Sequence, residues 1–547
     1  MADAASALMK GHEAVARALL DHGLDTMFGV LGGANIWIVD SFSRVLGGRY
    51  VSASNEAGAT LMALAHAACS GRVGVATVTH GPGLSNTVTA LIEGAKGRIP
   101  MLLVAGDTAP GQLTGQDIPQ RELVLATGAG FEQAVMPETL GADLARAVRR
   151  AELERRPIVL NLPTQFQWAD VAYRSMKLHR PETRTLVPEG KDIEDAVGII
   201  AAARKPIIVA GRGATSPAAR DALVRLAERT GALLSTTLQA RELFEGEDFN
   251  LGIFGTLSSP VAVDEIIASD CLIVFGAALN HFTTNRGSFV EGKRIVHCDH
   301  DLSAIGRHVN VAAGLVGTTE LVADKIIELF DLAELPPSGY RDPDLEARLR
   351  SYRPEFPDIR TASTMDLYTA IDRVAGAVGP DRVTVTDTGR FCIETFKLLK
   401  IKHRDLWYYN TRYGSIGLGL SSAVGAAFAK REFPTLLITG DGGFMNGGLA
   451  EFNTAVRHKL DMIVLLCNDG GYGMEEVEFR ERNMPYDITT MAFPDFAPVA
   501  DALGGKGVTV RTEADLETAL QAIAQRDRTR PLLIDLKIDM LAMPGLH

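Results

Sequence analysis

Leu436–Gly448, LLITGDGGFMNGG, is an apolar run that ends in glycines with one acid, Asp441, among them. Glycines after a strand let backbone come close to a phosphate. A phosphate loop of the GxxxxGK[ST] type would add a lysine, and none stands between Leu436 and Lys459. A dinucleotide fingerprint would need GxGxxG opening a helix, and the second glycine pair is wrongly spaced for it. After 26 intervening residues Asn468 closes another apolar run, DMIVLL, in the stretch CNDGGYG. Asp441 and Asn468 therefore close two successive strands of one sheet, side by side. A carboxylate and an amide oxygen beside glycine-exposed backbone suit a hard divalent cation. Mg2+ takes octahedral oxygen ligation from few protein groups, completed by phosphate oxygens and water. A cation between acid and phosphate removes the apparent conflict. Either residue alone reads equally well as a helix cap or a turn; the pair at this spacing reads as a metal–phosphate site.

The strands that position this pair belong to a pattern running the length of the chain. Continuous Val/Ile/Leu runs recur: TMFGVLG, VGVATVTHG, PMLLVAGD and PIVLNLP; then PIIVAGRG, CLIVFGAAL and KRIVHCDHD; then RVTVTDTG, TLLITGDGG, DMIVLLCNDGG and PLLIDLKID. They alternate with longer helical patterns. That predicts α/β architecture with doubly wound parallel sheets covered on both faces. Ser175–Asp192 and Leu332–Arg360 are polar, proline-bearing and aperiodic, and read as linkers. They divide the chain into three doubly wound parallel-sheet domains, 1–174, 190–335 and 360–547. Ligands in such sheets sit beyond the carboxyl ends of the strands. The places to look are VLGGAN, THGPG, GRG, DTGRF, GDGG and NDGG.

Composition narrows the function classes. The 547 residues are 46% hydrophobic and 22% charged, ordinary for a globular protein, with a net charge of −12 and no dense Lys/Arg cluster. Nucleic acid and anionic membranes are poor partners for such a chain. No run of eighteen apolar residues suggests a membrane span, and the N-terminus MADAASALMKGHEAVARALLDHG is no secretory signal; its ARALLDHG reads as an amphipathic helix ending at Gly23. The five cysteines never form CxxC and sit in apolar surroundings, which predicts reduced thiols in a cytoplasmic protein and no zinc site.

GDGGFMNGGLAEFNTAVRHKLDMIVLLCNDGGYG resembles the metal–diphosphate signature of thiamine-diphosphate enzymes, and other segments match in order. That family places a glutamate at the end of its second strand, where YVSASNEAG supplies Glu56. His80 of THGPG falls where the family carries SGPG. GSIGLGLSSAVGAA (414–427) matches the turn and helix that hold the thiazolium ring. The middle third is similar to the acetolactate synthase branch; benzaldehyde lyase is a further relative. The resemblance covers essentially the whole chain. It implies thiamine diphosphate and Mg2+ as cofactors, with Asp441, Asn468 and the Gly470 carbonyl on the metal. Gly440, Gly442, Gly443, Gly471 and Tyr472 would line the diphosphate with Thr388, Gly389 and Arg390. Ile416 would wedge under the bent cofactor, and the Gly414 carbonyl would accept from its aminopyrimidine. Glu56 of a partner subunit would hydrogen-bond the pyrimidine, which implies a homodimer or a homotetramer built as a dimer of dimers. A buried Glu with a raised pKa suits that proton-donating role.

The reacting end is less determined. Pyruvate-decarboxylase relatives carry an acid after the first Gly of VLGGAN; here that position is Gly33, and their paired His motif is missing. Synthases and lyases of the branch carry a Gln after VAGD, and Gln116 and Gln120 both qualify. His80 either moves protons near neutral pH or bonds backbone at a tight turn. Gly471–Ile488 would close over the substrate, with Glu475 and Glu476 read as solvated. Acetolactate synthases hold FAD with a GARFDDR-like segment; GAALNHFTTNRG stands here, which counts against FAD but leaves it open. The resemblance implies a carboligase/decarboxylase acting on a 2-oxo acid, whose enamine adds to an aldehyde or second 2-oxo acid. A lyase or hydrolase cleaving 2-hydroxyketones or diketones is the alternative.

Overall fold

The computed structural model describes residues 7–109, 111, 112, 114–176, 178, 185–356 and 358–541. Its contacts gather into two compact units, 1–180 with 357–547, and 181–356. The first unit holds two six-stranded parallel sheets. One is built from β2 (Thr26–Gly29), β3 (Arg49–Ser52), β4 (Gly74–Val78), β5 (Met101–Asp107), β6 (Gly130–Gln133) and β7 (Pro157–Pro163), in the order β3-β2-β4-β5-β7-β6. A two-stranded antiparallel ribbon, β1 (Ala7–Lys10) with β8 (Asp170–Tyr173), flanks it. The second unit holds β9 (Pro206–Ala210), β10 (Leu233–Thr236), β11 (Asn250–Ile253), β12 (Cys271–Phe275), β13 (Arg294–Asp299) and β14 (Ala313–Val316), ordered β11-β10-β9-β12-β13-β14. The first unit's other sheet has β15 (Val383–Thr386), β16 (Trp407–Tyr409), β17 (Thr435–Gly440), β18 (Met462–Asn468), β19 (Lys506–Val510) and β20 (Leu532–Lys537), ordered β16-β15-β17-β18-β20-β19.

The central strands β4, β9, β12 and β18 are buried at every position. Such strands bury both faces, which is why their sequences run apolar without alternation. One apolar core spans both sheets of the first unit, joining Val78 and Leu103 to Val385, Leu437 and Val464. At its centre the helix Glu56–Ser70 packs on the helix Gly419–Ala429, the first bringing Ala59, Met62 and Ala63 to this core and the second Ala423, Val424 and Ala427. Gly425 permits this: a Cβ there would stand 2.0 Å from the Met62 carbonyl oxygen. In the second unit, separate apolar clusters cover the two faces of the sheet.

One stretch differs from its compositional reading. Leu332–Arg360 contains the helix Pro343–Ser351, capped by the Asp342 carboxylate on the Leu345 N–H. Tyr340 ahead of it is buried and donates to Glu265 at 2.7 Å. A single docked aromatic and a cap therefore order a segment whose proline and charge content suggests a linker.

Candidate active site

The register of β17 on β18 pairs Gly440 with Cys467, so Asp441 and Asn468 leave adjacent strand ends together, as their spacing requires. Both are buried. Asp441 accepts from the Gly442 N–H at 2.7 Å and the Gly470 N–H at 2.8 Å, tying the two glycine loops to one carboxylate. The edge of the Tyr472 ring lies against Gly442. The Gly470 carbonyl accepts from Met491 N–H at 2.7 Å, because 489–491 runs alongside 470–472. Like Asp441, it therefore already accepts a backbone hydrogen bond, and a carbonyl or carboxylate oxygen has a further lone pair to offer a cation.

The DTGRF strand end carries a residue that the sequence reading passed over. Asp387 is fully buried and gathers three loops. It accepts from Thr388 N–H at 2.8 Å, from Gly417 and Leu418 N–H at 3.3 Å, and from the Thr439 hydroxyl at 3.0 Å. Those loops carry Thr388 and Gly389, then Gly414 and Ile416, then Gly440–Gly443. Burial pushes the Asp387 carboxyl up to about 6, against the pull of these donors. Thr388 turns its hydroxyl to the Asn410 carbonyl. Arg390 is buried and turned toward acids: it donates to Glu476 at 3.2 Å and lies 3.6 Å from Asp469. Glu476 is thus wholly buried, contrary to its reading as a solvated helix acid, because Arg390 and Arg480 both reach it. Glu475 is exposed.

Glu56 opens the helix Glu56–Ser70, with Asn55 as the N-cap accepting from Ala57 N–H at 2.8 Å. It is half-buried, and its carboxylate accepts from the Asn86 amide at 2.9 Å. The turn before it is clamped from the other sheet. Glu451, eight residues past Gly443, accepts from Ser54 N–H and Asn55 N–H, both at 3.0 Å.

His80 follows β4, half-buried, and its Nδ1 is a buried atom without a hydrogen-bond partner. The next residue, Gly81, has φ +61° and ψ −109°, and a Cβ there would meet the Gln116 carbonyl oxygen at 2.0 Å. Only glycine fits such a turn. Gln120 holds it. Its oxygen accepts from Gly81 N–H at 2.7 Å, and its amide nitrogen donates to the Gly106 carbonyl at 3.0 Å and to Asn161 at 2.5 Å. Both ends of Gln120 are therefore in use, whereas Gln116 is exposed. Gly33 is exposed, with nothing within 4 Å of where a Cβ would stand.

The donor set at Asp441 fits a small divalent cation. Asp441 is buried and the neighbouring Asp469 largely so, and each carboxyl is pushed upward chiefly by desolvation, Asp469 also by Asp441. A cation at Asp441 would remove that penalty. Among the described residues no three His, Cys, Asp or Glu side chains gather to hold a metal by themselves. One carboxylate, one amide oxygen and one carbonyl leave positions for phosphate and water, as Mg2+ prefers.

Three family models match the chain in succession and together span about three quarters of it: the thiamine pyrophosphate enzyme N-terminal TPP binding domain over 9–127, the central domain over 193–326, and the C-terminal TPP binding domain over 387–536. An acetolactate synthase of Mycobacterium bovis is 28% identical, the match covering 96% of this chain and 88% of that protein. The acetolactate synthase large subunit of Corynebacterium glutamicum is 26% identical over 97% and 87%, and that of Haemophilus influenzae 24% over 97% and 95%. The chain belongs to the thiamine pyrophosphate-dependent enzymes, in their acetolactate synthase-like branch.

Proposed function

We propose that this enzyme is a thiamine-diphosphate- and Mg2+-dependent carboligase that takes a 2-oxo acid as donor and an aldehyde or second 2-oxo acid as acceptor. The observation that carries the proposal is the pair Asp441 and Asn468 at neighbouring strand ends, inside loops tied together by the Asp441 carboxylate. When bound, thiamine diphosphate supplies the electron sink for making or breaking the bond next to a carbonyl. Asp441, Asn468 and Gly470 would hold the metal. Gly440, Gly442, Gly443, Gly471, Tyr472, Thr388 and Gly389 would line the diphosphate, with Arg390 behind them neutralising Asp469 and Glu476. Ile416 and the Gly414 carbonyl would shape the bent cofactor. Glu56 would protonate the pyrimidine ring from across a dimer interface. His80, whose Nδ1 is unclaimed, would move a proton on the substrate, with Gln116 beside its turn. The domains would run 1–174, 190–335 and 360–547. Five free, buried cysteines favour a reducing compartment such as the cytoplasm.

Near full-length similarity to acetolactate synthases favours ligation over the lyase or hydrolase alternative. The test is a product screen with Mg2+ and thiamine diphosphate, offering pyruvate, benzoylformate and benzoin separately. Release of CO2 with a ligated product from an acid supports the proposal; aldehyde from benzoin and no CO2 from either acid would turn it toward the lyase. Glu56→Gln should leave cofactor affinity within about twofold while exchange of the thiazolium C2 proton falls by about 100-fold or more, the scale of a lost general acid. Unchanged exchange would remove Glu56 from its role.

A further inference from the structure

The amide of Asn468 has an oxygen end and an NH2 end of nearly the same shape, and only the oxygen ligates a hard cation. Something must decide which end faces Asp441. We propose that Asp535 is the positioning residue that does so, which rests on the metal assignment above. Asp535 lies in β20, beside β18, and has no exposed surface. Its Oδ1 accepts from Asn468 Nδ2 at 2.9 Å. Its Oδ2 accepts from Phe496 N–H at 2.8 Å and stands 2.9 Å from Lys537 Nζ. An ionised carboxylate only accepts, so the Asn468 NH2 must point to Asp535 and its oxygen is left for the cation. Lys537, itself 2.9 Å from Asp495, balances the buried charge.

The arrangement has a sharp consequence for Asp535→Asn. The new amide faces two donors on one side, Phe496 N–H and Lys537, and one donor on the other, Asn468. Keeping its oxygen toward the pair turns its NH2 toward Asn468. Asn468 must then rotate, present its oxygen inward and turn its NH2 to the cation. Adding Asn468→Asp repairs this, because a carboxylate at 468 accepts from the new NH2 with one oxygen and keeps the other for metal. A residue that merely filled space or capped the helix Phe496–Ala502 would show no such repair.

Mn2+ affinity of the full chain with saturating thiamine diphosphate, read by loss of the free Mn2+ paramagnetic signal, tests this without recourse to turnover. Asp535→Asn should weaken Mn2+ binding by about 10–100-fold, the usual cost of losing a partner behind a metal ligand. The double variant Asp535→Asn/Asn468→Asp should recover most of that loss. Binding by Asp535→Asn within about threefold of the unaltered protein, or a double variant no tighter than Asp535→Asn, overturns the proposal. Should Asp535→Asn fail to fold, the comparison runs between Asn468→Asp alone, which sets two carboxylates face to face, and the double variant. The double variant should bind about tenfold tighter, and equality overturns the proposal. Failure of the unaltered protein to bind Mn2+ would refute the metal assignment itself, and is seen before any variant is made.

Discussion

The two ends of the candidate site are built in opposite ways. At the proposed diphosphate end three buried carboxylates tie the structure together: Asp441 joins two loops, Asp387 joins three, and Asp535 holds Asn468. At the proposed reacting end fewer side chains are engaged: Gly33 faces empty space, Gln116 is exposed, and His80 Nδ1, though buried, has no hydrogen-bond partner. Yet the scaffold under the open end is as firmly tied as the other, since Gln120 and Asn161 lock the Gly81 turn. A rigid frame thus presents unclaimed side chains, the arrangement that preorganisation requires of groups meant for a substrate. Substitutions at the first end should therefore cost stability and cofactor affinity together. Substitutions at the second should cost turnover alone.

Asp387 gives the largest test of that contrast. Asp387→Ala takes the acceptor from three backbone N–H groups and a hydroxyl, which should lower unfolding free energy by about 3 kcal/mol. Denaturant unfolding of the two proteins checks it. Asp387→Asn adds a pH signature. The folded carboxyl titrates near 6 and an unfolded one near 3.8. Between those values the folded chain holds a proton that the unfolded chain has lost, so lowering the pH through this window favours the fold through this group. The variant lacks that group. The stability difference between the two should therefore move toward the natural protein by about 2 kcal/mol as pH falls from 7 to 4. A difference independent of pH would show that Asp387 is not the buried acid described.

His80→Gln should do the reverse. With Nδ1 unbonded and the turn held by Gly81 and Gln120, stability should change by no more than about 0.5 kcal/mol. Turnover should fall by about 10–100-fold, near the low end of a lost proton-transfer group. A large loss of stability with unchanged kcat would return His80 to a structural role.

The same contrast explains what the sequence disclosed. Strand interiors such as VLLC and TLLI were readable because burial on both faces leaves an unbroken apolar run. The edge strands β6, β11, β14, β16 and β19 and the interior strand β10 were passed over, since strands of three to five residues leave too short an apolar run to stand out. Asp441 and Asn468 were legible as a pair because both close strong runs at a telling spacing. Asp387 was not, because its partners Gly417 and Thr439 lie 30 and 52 residues away. Glu476 misled for the same reason: on a helix it looks like any surface acid, and Arg390, 86 residues earlier, makes it a buried one. Asp535 did leave a signal, a lone acid inside PLLIDLK, where an unpaired charge would be costly.

The smallest expected effect sits at Gly33. Its φ is not in the left-handed region, and a Cβ would touch nothing. Gly33→Ala should therefore change stability by less than about 0.5 kcal/mol. Gly33→Glu places a carboxyl where decarboxylase-like relatives carry one. Free space means the new side chain need not displace anything, so its effect falls on the chemistry. A proton donor there should divert the donor-derived carbanion equivalent toward protonation, raising free aldehyde over ligated product from pyruvate by about fivefold, or about 1 kcal/mol between the two barriers. The ratio of acetaldehyde to ligation product, measured at equal conversion, reads it directly. If Gly33→Ala instead costs more than about 1 kcal/mol, the position is packed, and the open end of the site is not open. If stability holds but the ratio does not move, Gly33 is open yet does not face the reacting carbon.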